Sequence, residues 1–131
     1  MNLEKATKKE IGDYGERAVV RELERNGYRL VGRNIARKTG EIDVLMRKSD
    51  TLHFIEVKAL SCEELPDLEA VNDRYDPSAN LHEAKVRKVA RTAEWIVAEK
   101  EWEGDWQVDG ALVWLRLRDG VAKVLHLPQI V

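Results

Sequence analysis

The sequence contains a single cysteine, Cys62, among its 131 residues. One cysteine cannot form an intramolecular disulfide or a cysteine-rich zinc site, and such scarcity is typical of proteins in reducing compartments. Prolines and glycines are also few, at three and eight, which excludes collagen-like and low-complexity chains. The longest apolar run, Gly110 to Leu115, is far shorter than the roughly 20 residues of a membrane-spanning helix. We therefore expect one cytoplasmic domain over residues 1–131, with no membrane contact.

Neither sign of charge predominates in the sequence. Lysine and arginine number 22 and aspartate and glutamate 24, which gives a formal net charge of −2. Domains that bind nucleic acid through bulk charge usually carry a clear basic excess, so the total does not favour that class. The charges are nevertheless segregated. Residues 29–60 carry seven basic and four acidic side chains, residues 81–100 carry five and three, and residues 61–80 carry one and six. Two basic regions therefore remain that a nucleic acid can contact.

Hydrophobic periodicity predicts two helices and five strands. Apolar residues at helical spacing predict helices over 11–25 and 81–100, and alternating or continuous apolar runs predict strands over 28–34, 41–47, 52–58, 106–117 and 121–127. Residues 61–80 contain two prolines and little periodicity, and are predicted to form a long acidic loop of the kind that often carries function. The order α-β-β-β-α-β-β predicts an α/β fold in which helices cover a mixed sheet.

Two acidic residues oppose each other on the predicted hairpin of the second and third strands. A short regular turn between these strands sets Asp43 directly opposite Glu56. Opposed residues have Cβ atoms about 4.5–5.5 Å apart, a separation at which two carboxylates repel each other. A shared proton, a nearby cation such as Lys58, or a divalent metal would offset this repulsion. Carboxylates from two adjacent strands suit Mg²⁺, and Lys58 on the same face completes a set suited to phosphodiester hydrolysis.

The surroundings of this acidic pair distinguish a site from a solvated surface. A solvated charged face with cross-strand ion pairs is the plain alternative, since alternating strands often place a glutamate two residues before a lysine. Leu52 and Phe54 share the face of Glu56, however, and indicate partial burial. Glu41 falls opposite Lys58 and is predicted to pair with it, with a role as a further acid at the site as the alternative. Glu16 lies on the apolar side of the first helix, from which it can reach the cluster and complete a metal shell.

Several separated motifs carry a resemblance to a known family. They are residues 12–18 (GDYGERA), 26–28 (NGY), 33–34 (RN), 40–45 (GEIDVL) and 54–58 (FIEVK). In this order they resemble the bacterial YraN family, which is itself similar to archaeal Holliday-junction resolvases within the PD-(D/E)XK nuclease superfamily. The resemblance spans most of the first 58 residues, and continues more weakly near Lys85 and at Val108-Asp109.

The resemblance implies a restriction-endonuclease-like α/β fold and a metal-dependent endonuclease that acts on DNA, including branched or flap structures, in repair or recombination. It implies Asp43, Glu56, the main-chain carbonyl of Val57 and Glu16 as ligands of Mg²⁺ or Mn²⁺, and Lys58 as the catalytic lysine. Resolvases of this kind act as dimers, so it also favours a homodimer. The alternatives are a non-catalytic nucleic-acid-binding or adaptor module that retains the fold, and a small domain whose charged hairpin is only structural.

Further basic and polar residues complete the predictions. Lys85 and Lys88, on one stripe of the second helix, and Arg37 and Lys38, in the loop before the second strand, are the predicted contacts to DNA phosphates. Lys85 also matches the position at which related nucleases place a polar residue facing the site. The acidic loop over residues 61–80 would repel DNA unless it swings away, or serves as a lid or as a contact to a protein partner.

The remaining histidines and acids receive structural interpretations. His53 falls on the strand face opposite Glu56 and is predicted to be packed or on the surface. His126 shows no ligand spacing, and Asp109 is expected to cap or pair structurally at the entrance of a buried strand.

Overall fold

The computed structural model describes residues 1–69, 81 and 83–130. Its elements are, in chain order, α1 (Lys8–Arg25), β1 (Arg29–Arg37), β2 (Gly40–Lys48), β3 (Thr51–Cys62), α2 (Glu83–Glu99), β4 (Asp105–Arg116) and β5 (Val121–Leu127). This order confirms the predicted one. None of the described helices is long and apolar enough to cross a membrane.

The five strands form one mixed sheet in the order β1-β2-β3-β4-β5. Neighbours are antiparallel except β3 and β4, which are parallel. Parallel strands need a long crossover connection, and α2 lies within the connection between these two. A mixed sheet flanked by helices agrees with the predicted α/β class and is consistent with a restriction-endonuclease-like fold.

Two apolar clusters form the core, one for each helix. The α1 cluster contains Val19, Val20, Leu23, Val44, Met46, Ile55, Ala111, Val113 and Leu115. The α2 cluster contains Ile42, Leu45, Leu52, Phe54, Val86, Val89, Ala93, Ile96 and Val108. Phe54 and Ile55 are neighbours in β3, where successive side chains point to opposite faces, so the helices cover opposite faces of the sheet. Burial on both faces makes the central strands the rigid base of any site built on them.

The third strand extends beyond its predicted end. The alternating pattern ends at Lys58, whereas β3 continues to Cys62. The additional residues belong to the strand because they pair with β4, and the last of these pairs is Cys62–Arg116. The predicted loop over residues 61–80 therefore begins later, and residues 70–80 lie outside the described part of the chain. Its role as a protein contact stays a prediction.

Helix α1 begins three residues before its predicted start, at a capping box. The Thr7 hydroxyl accepts a hydrogen bond from the Glu10 amide at 3.1 Å, and the Glu10 carboxylate accepts one from the Thr7 amide at 3.0 Å. These bonds satisfy two amides that would otherwise lack helical partners. The turn they fix precedes the segment that carries Glu16 into the site.

Thr7→Ala is expected to lower the free energy of unfolding by about 1 kcal/mol, because the cap acceptor is lost. Urea denaturation followed by tryptophan fluorescence measures the change. Thr7→Ser is the matched control, since it keeps the hydroxyl and should retain most of the stability. Equal stability of the alanine and serine variants would show that this cap does not contribute to global unfolding.

Candidate functional site

Asp43 and Glu56 lie where strands β2 and β3 separate. The ladder between the two strands has the predicted register, with Leu45 opposite Phe54 and Val44 opposite Ile55, and its last described pair is Val44–Ile55. One residue farther along, the Val57 amide donates to Asp43 Oδ2 at 2.9 Å. Beyond the last ladder pair, the Val57 amide is therefore bonded by a side-chain carboxylate of β2. This hydrogen bond fixes the Asp43 carboxylate beside the main chain that follows Glu56.

The separation occurs where the side chains of β1 and β2 change the face of the sheet to which they point. Asn34, in the middle of β1, has a φ of 52°, a left-handed conformation that is rare within a strand. The paired positions on either side are Arg33–Val44 and Ile35–Ile42, and Val44 packs in the α1 cluster whereas Ile42 packs in the α2 cluster. Regular alternation predicts one face for Ile42, Val44 and Met46, and this prediction is wrong at Ile42. Asp43 lies at the switch, opposite Asn34, where its side chain is only partly buried.

Glu56 is buried, with a relative exposure of 3%, and only one of its oxygens is satisfied. Its Oε1 lies 2.7 Å from Lys85 Nζ, an ammonium on the first turn of α2. Its Oε2 is buried without a hydrogen-bond partner among the described residues. A buried carboxylate oxygen without a donor is costly, so this position favours a bound cation.

The same environment acts on Asp43. Burial, followed by the negative charge of Glu56, raises the pKa of the Asp43 carboxyl from its ordinary 3.8 to about 7, against the lowering effects of the Val57 amide and Lys85. Two carboxyls with too few donors lie together here, which is the arrangement that a divalent cation relieves.

Glu16 approaches from α1 as a third acid. Its Oε1 accepts a hydrogen bond from Arg33 Nη2 at 2.9 Å, and in the satisfied amide orientation Asn34 donates to Glu16 and Glu41, each at 3.1 Å. Burial raises the pKa of the Glu16 carboxyl, Arg33 lowers it, and the nearby charge of Asp43 raises it. The fold therefore brings the three predicted acids into electrostatic contact. Arg33 and Asn34, which sequence reasoning recognised only as a family motif, hold this arrangement.

The turn between β1 and β2 packs against α2 and forms one wall of a groove. The Thr39 and Thr92 hydroxyls are 2.7 Å apart, and Thr92 Oγ1 donates to the Lys88 carbonyl at 2.9 Å. The groove has a volume of about 620 Å³ and is lined by Gly40, Glu41, Asp43, Ala84, Lys85, Lys88 and Val89. Two lysines and two acids therefore share one open face beside the carboxylate cluster.

The other predicted basic residues differ in whether their charge is free to contact a ligand or is already paired within the protein. Lys58 is exposed, and within the described part of the chain it forms no ion pair, so its predicted pairing with Glu41 is wrong. Lys38 and Lys88 are also exposed. Arg37, in contrast, is held by Glu99 through hydrogen bonds of 2.9 and 2.7 Å. The lysines are thus the cations most accessible to a phosphate backbone.

The sequence did not predict a second polar cluster, although it predicted features of its members. His53 and His126 both contact the buried carboxylate of Asp109, each at 2.7 Å. His53 does face away from Glu56, as alternation predicts, and Asp109 does pair structurally. No short spacing links positions on three separate strands, so nothing in the sequence alone indicated that the two rings meet.

Lys85→Met is expected to lower the free energy of unfolding of the metal-free chain by about 1.5 kcal/mol, because it removes the described donor to Glu56. The side chain of Lys85 is itself 62% exposed, so water limits the cost. Lys88→Met, at an exposed position on the same helix, is the matched control and should change stability by less than about 0.5 kcal/mol. Urea denaturation in EDTA provides the comparison. Equal stability of the two variants would show that the Lys85–Glu56 pair does not stabilise the folded chain.

Comparison with known proteins places these residues in a family context. A family model described as "Uncharacterised protein family UPF0102" matches residues 15–113. A UPF0102 protein of Campylobacter hominis is 32% identical over 99 residues, which covers 76% of this chain and 79% of the relative. A UPF0102 protein of a Sulfurovum species is 33% identical over 104 residues, covering 79% and 82%. The matched region includes Glu16, Asp43, Glu56, Lys58 and Lys85.

Among solved structures, SfsA of Pyrococcus furiosus in complex with Ca²⁺ is similar over 92% of this chain and 62% of its own. The sequence identity is 13% and the TM-score 0.30, which is too low to establish a shared fold.

Proposed function

The chain belongs to the UPF0102 family, which is the YraN family that its motifs resemble, and we propose that it is a metal-dependent nuclease that hydrolyses phosphodiesters of DNA. The observation that carries the proposal is the carboxylate cluster of Asp43 and Glu56. One oxygen of Glu56 is buried without a described donor, and the pKa of Asp43 is raised to about 7. A sheet gains no stability from such a pair, whereas a cation site requires it.

The donor set fits a hard divalent cation. Asp43 and Glu56 would hold Mg²⁺ or Mn²⁺ together with the main-chain carbonyl of Val57, and Glu16 would complete the shell directly or through water. When bound, the metal would acidify the attacking water and neutralise charge that develops on the phosphoryl oxygens. Arg33 and Asn34 keep Glu16 directed at the cluster through their hydrogen bonds, as supporting residues of metal sites commonly do.

The lysines supply the remaining chemistry. Lys58 lies two residues after Glu56 on β3, so its side chain projects from the same face. Its exposed ammonium would orient the attacking water and donate to a phosphoryl oxygen as charge accumulates there. Lys85 neutralises Glu56 in the metal-free chain. The exposed side chains of Lys38 and Lys88 would contact flanking phosphates.

The net charge of −2 sets the expected strength of DNA binding. Since few phosphates are neutralised by the lysines beside the site, we expect modest affinity that falls as salt is added. A metal that neutralises the acids makes the binding face more basic, so affinity should also rise with divalent cation.

Cleavage of labelled duplex, flap and four-way DNA with Mg²⁺ or Mn²⁺ tests the proposal. Wild type is compared with Asp43→Ala and Lys58→Ala, and with the exposed control variants Asp50→Ala and Lys9→Ala, which lie outside the site. Cleavage by wild type and both controls, and its loss in both site variants, is the expected result. Equal cleavage by all five proteins would indicate a contaminating nuclease, and DNA binding by wild type without cleavage would favour the non-catalytic adaptor.

A further inference from the structure

We infer that His53, Asp109 and His126 form a second metal site, distinct from the carboxylate cluster, that binds Zn²⁺. The three residues come from adjacent strands β3, β4 and β5. Their ligand atoms, His53 Nδ1, Asp109 Oδ2 and His126 Nε2, all lie within 4.8 Å of one another. Two imidazole nitrogens and one carboxylate oxygen form a set that Zn²⁺ binds in proteins, usually with a fourth position left for water or another ligand.

Both histidine ligand atoms contact the same carboxylate oxygen. His53 Nδ1 and His126 Nε2 are each 2.7 Å from the same oxygen, Asp109 Oδ2. In the metal-free chain, these contacts are hydrogen bonds in which each ring N–H donates to the carboxylate. An ion bound by these three atoms would displace both hydrogen-bonding protons, and each displaced proton would pass to solvent or to the other nitrogen of its ring, so that each ring coordinates as the neutral tautomer. The three ligand atoms already lie within 4.8 Å of one another, so the residues that would hold the ion are assembled in the metal-free chain.

The carboxylate is oriented by donors that do not use the shared oxygen. Asp109 Oδ1 accepts from Gln107 Nε2 at 2.7 Å and from the Gln129 amide at 2.8 Å. Metal-binding carboxylates are typically fixed in this way by hydrogen bonds to their other oxygen.

The two imidazoles are also held in place. The Tyr28 ring meets His53 and His126 edge to face, with centroids 5.0 and 5.8 Å away. His53 is buried and the side chain of His126 is 19% exposed, so the cluster reaches solvent at His126. Ligands placed on three strands of a rigid sheet lose little conformational entropy when they bind.

The charge of the cluster favours a cation. Asp109 is completely buried, and its described partners at this point are two imidazoles, an amide side chain and a main-chain amide. A divalent ion bound here would supply positive charge beside a buried carboxylate that no described lysine or arginine contacts. Nitrogen donors also distinguish this site from the all-oxygen cluster at Asp43 and Glu56, which suits Mg²⁺.

Titration of the EDTA-treated, dialysed full-length chain with Zn²⁺, against a chromogenic chelator, tests the inference. Wild type should bind one equivalent that is lost or weakened by at least about 100-fold in His126→Gln and His53→Gln, while Glu56→Gln retains it. Replacement by Co²⁺ should give visible absorption bands typical of low coordination number in wild type and not in His126→Gln.

Variant folding is checked by circular dichroism, and His126→Gln is the primary variant because that side chain is partly exposed. Zn²⁺ should also raise the melting temperature of wild type but not of this variant. Absence of saturable Zn²⁺ binding would overturn the inference and leave the cluster as a hydrogen-bond network. Undiminished binding by both histidine variants, or loss in Glu56→Gln alone, would also overturn it, the latter by placing the ion at the carboxylates.

Discussion

Lys58→Met is expected to slow DNA cleavage at least about 100-fold while it leaves DNA affinity and Mg²⁺ affinity within about threefold of wild type. The ammonium interacts most strongly with charge that develops in the transition state, so its loss acts on the chemical step. Lys58 is exposed and has no ion-pair partner among the described residues. Its replacement should therefore leave the fold and the carboxylate cluster unchanged.

Single-turnover cleavage with protein in excess over DNA isolates this effect, because it separates the chemical step from binding and product release. Lys9→Met is the matched control, an exposed lysine before the site on α1, and it should cleave at the wild-type rate. Lys58→Arg should recover only part of the rate, since it restores charge but not the compact ammonium. A Lys58→Met variant that loses affinity and rate in equal proportion would identify Lys58 as a phosphate anchor.

The hairpin that carries Asp43 and Glu56 could be predicted because its information is local. Alternating side chains and a short polar turn determine the register, and the pair Leu45–Phe54 confirms it. Burial of the acidic face could also be inferred, since Phe54 shares that face with Glu56. Both features depend on residues close together in the chain.

The distortion at Asn34 could not be predicted in this way. Alternation assumes that a strand keeps its facing, whereas Asn34 adopts a left-handed conformation and Ile42 turns to the α2 cluster. Asparagine tolerates positive φ better than most residues, but many asparagines do not adopt it. The switch becomes apparent only when the packing of both helices is known.

The long-range polar contacts could not be predicted from local pattern, for a different reason. Glu56 meets Lys85 from a helix, and Asp109 meets His53 and His126 from two other strands. Such contacts depend on strand order and on the parallel pairing of β3 with β4, neither of which periodicity specifies. Residue type and local pattern therefore identified the acids of the candidate site, but not the groups that neutralise or orient them. Only the family resemblance indicated that Lys85 faces the site.

Asp43→Asn is expected to raise the free energy of unfolding of the metal-free chain by about 2 kcal/mol at pH 8, and to leave it nearly unchanged at pH 4. Burial and the Glu56 charge raise the pKa of Asp43 from 3.8 to about 7 in the folded chain. A raised folded-state pKa means that ionisation destabilises the fold. The cost is absent below about pH 4, grows between about pH 4 and 7, and is complete above about pH 7.

Each pKa unit corresponds to about 1.4 kcal/mol, so the full shift sets an upper limit of about 4 kcal/mol. Asparagine cannot ionise, and its carbonyl oxygen can still accept the Val57 amide that bonds to Asp43. The substitution leaves the Glu56 carboxylate buried, however, so we expect the free energy of unfolding to rise by about half of this limit. Urea denaturation in EDTA across this pH range measures the gain, with Asp50→Asn, whose side chain is 89% exposed, as control.

Addition of Mg²⁺ should reverse the order of stability of wild type and Asp43→Asn. The ion stabilises only the protein that binds it, so wild type should gain stability in proportion to the logarithm of the Mg²⁺ concentration above the dissociation constant. The asparagine variant lacks a charged ligand and should gain little. If Asp43→Asn were less stable than wild type at pH 8 in EDTA, the Asp43 charge would already be compensated by the protein. The cluster would then be a structural ion-pair network, because a site that needs a cation must be less stable without one.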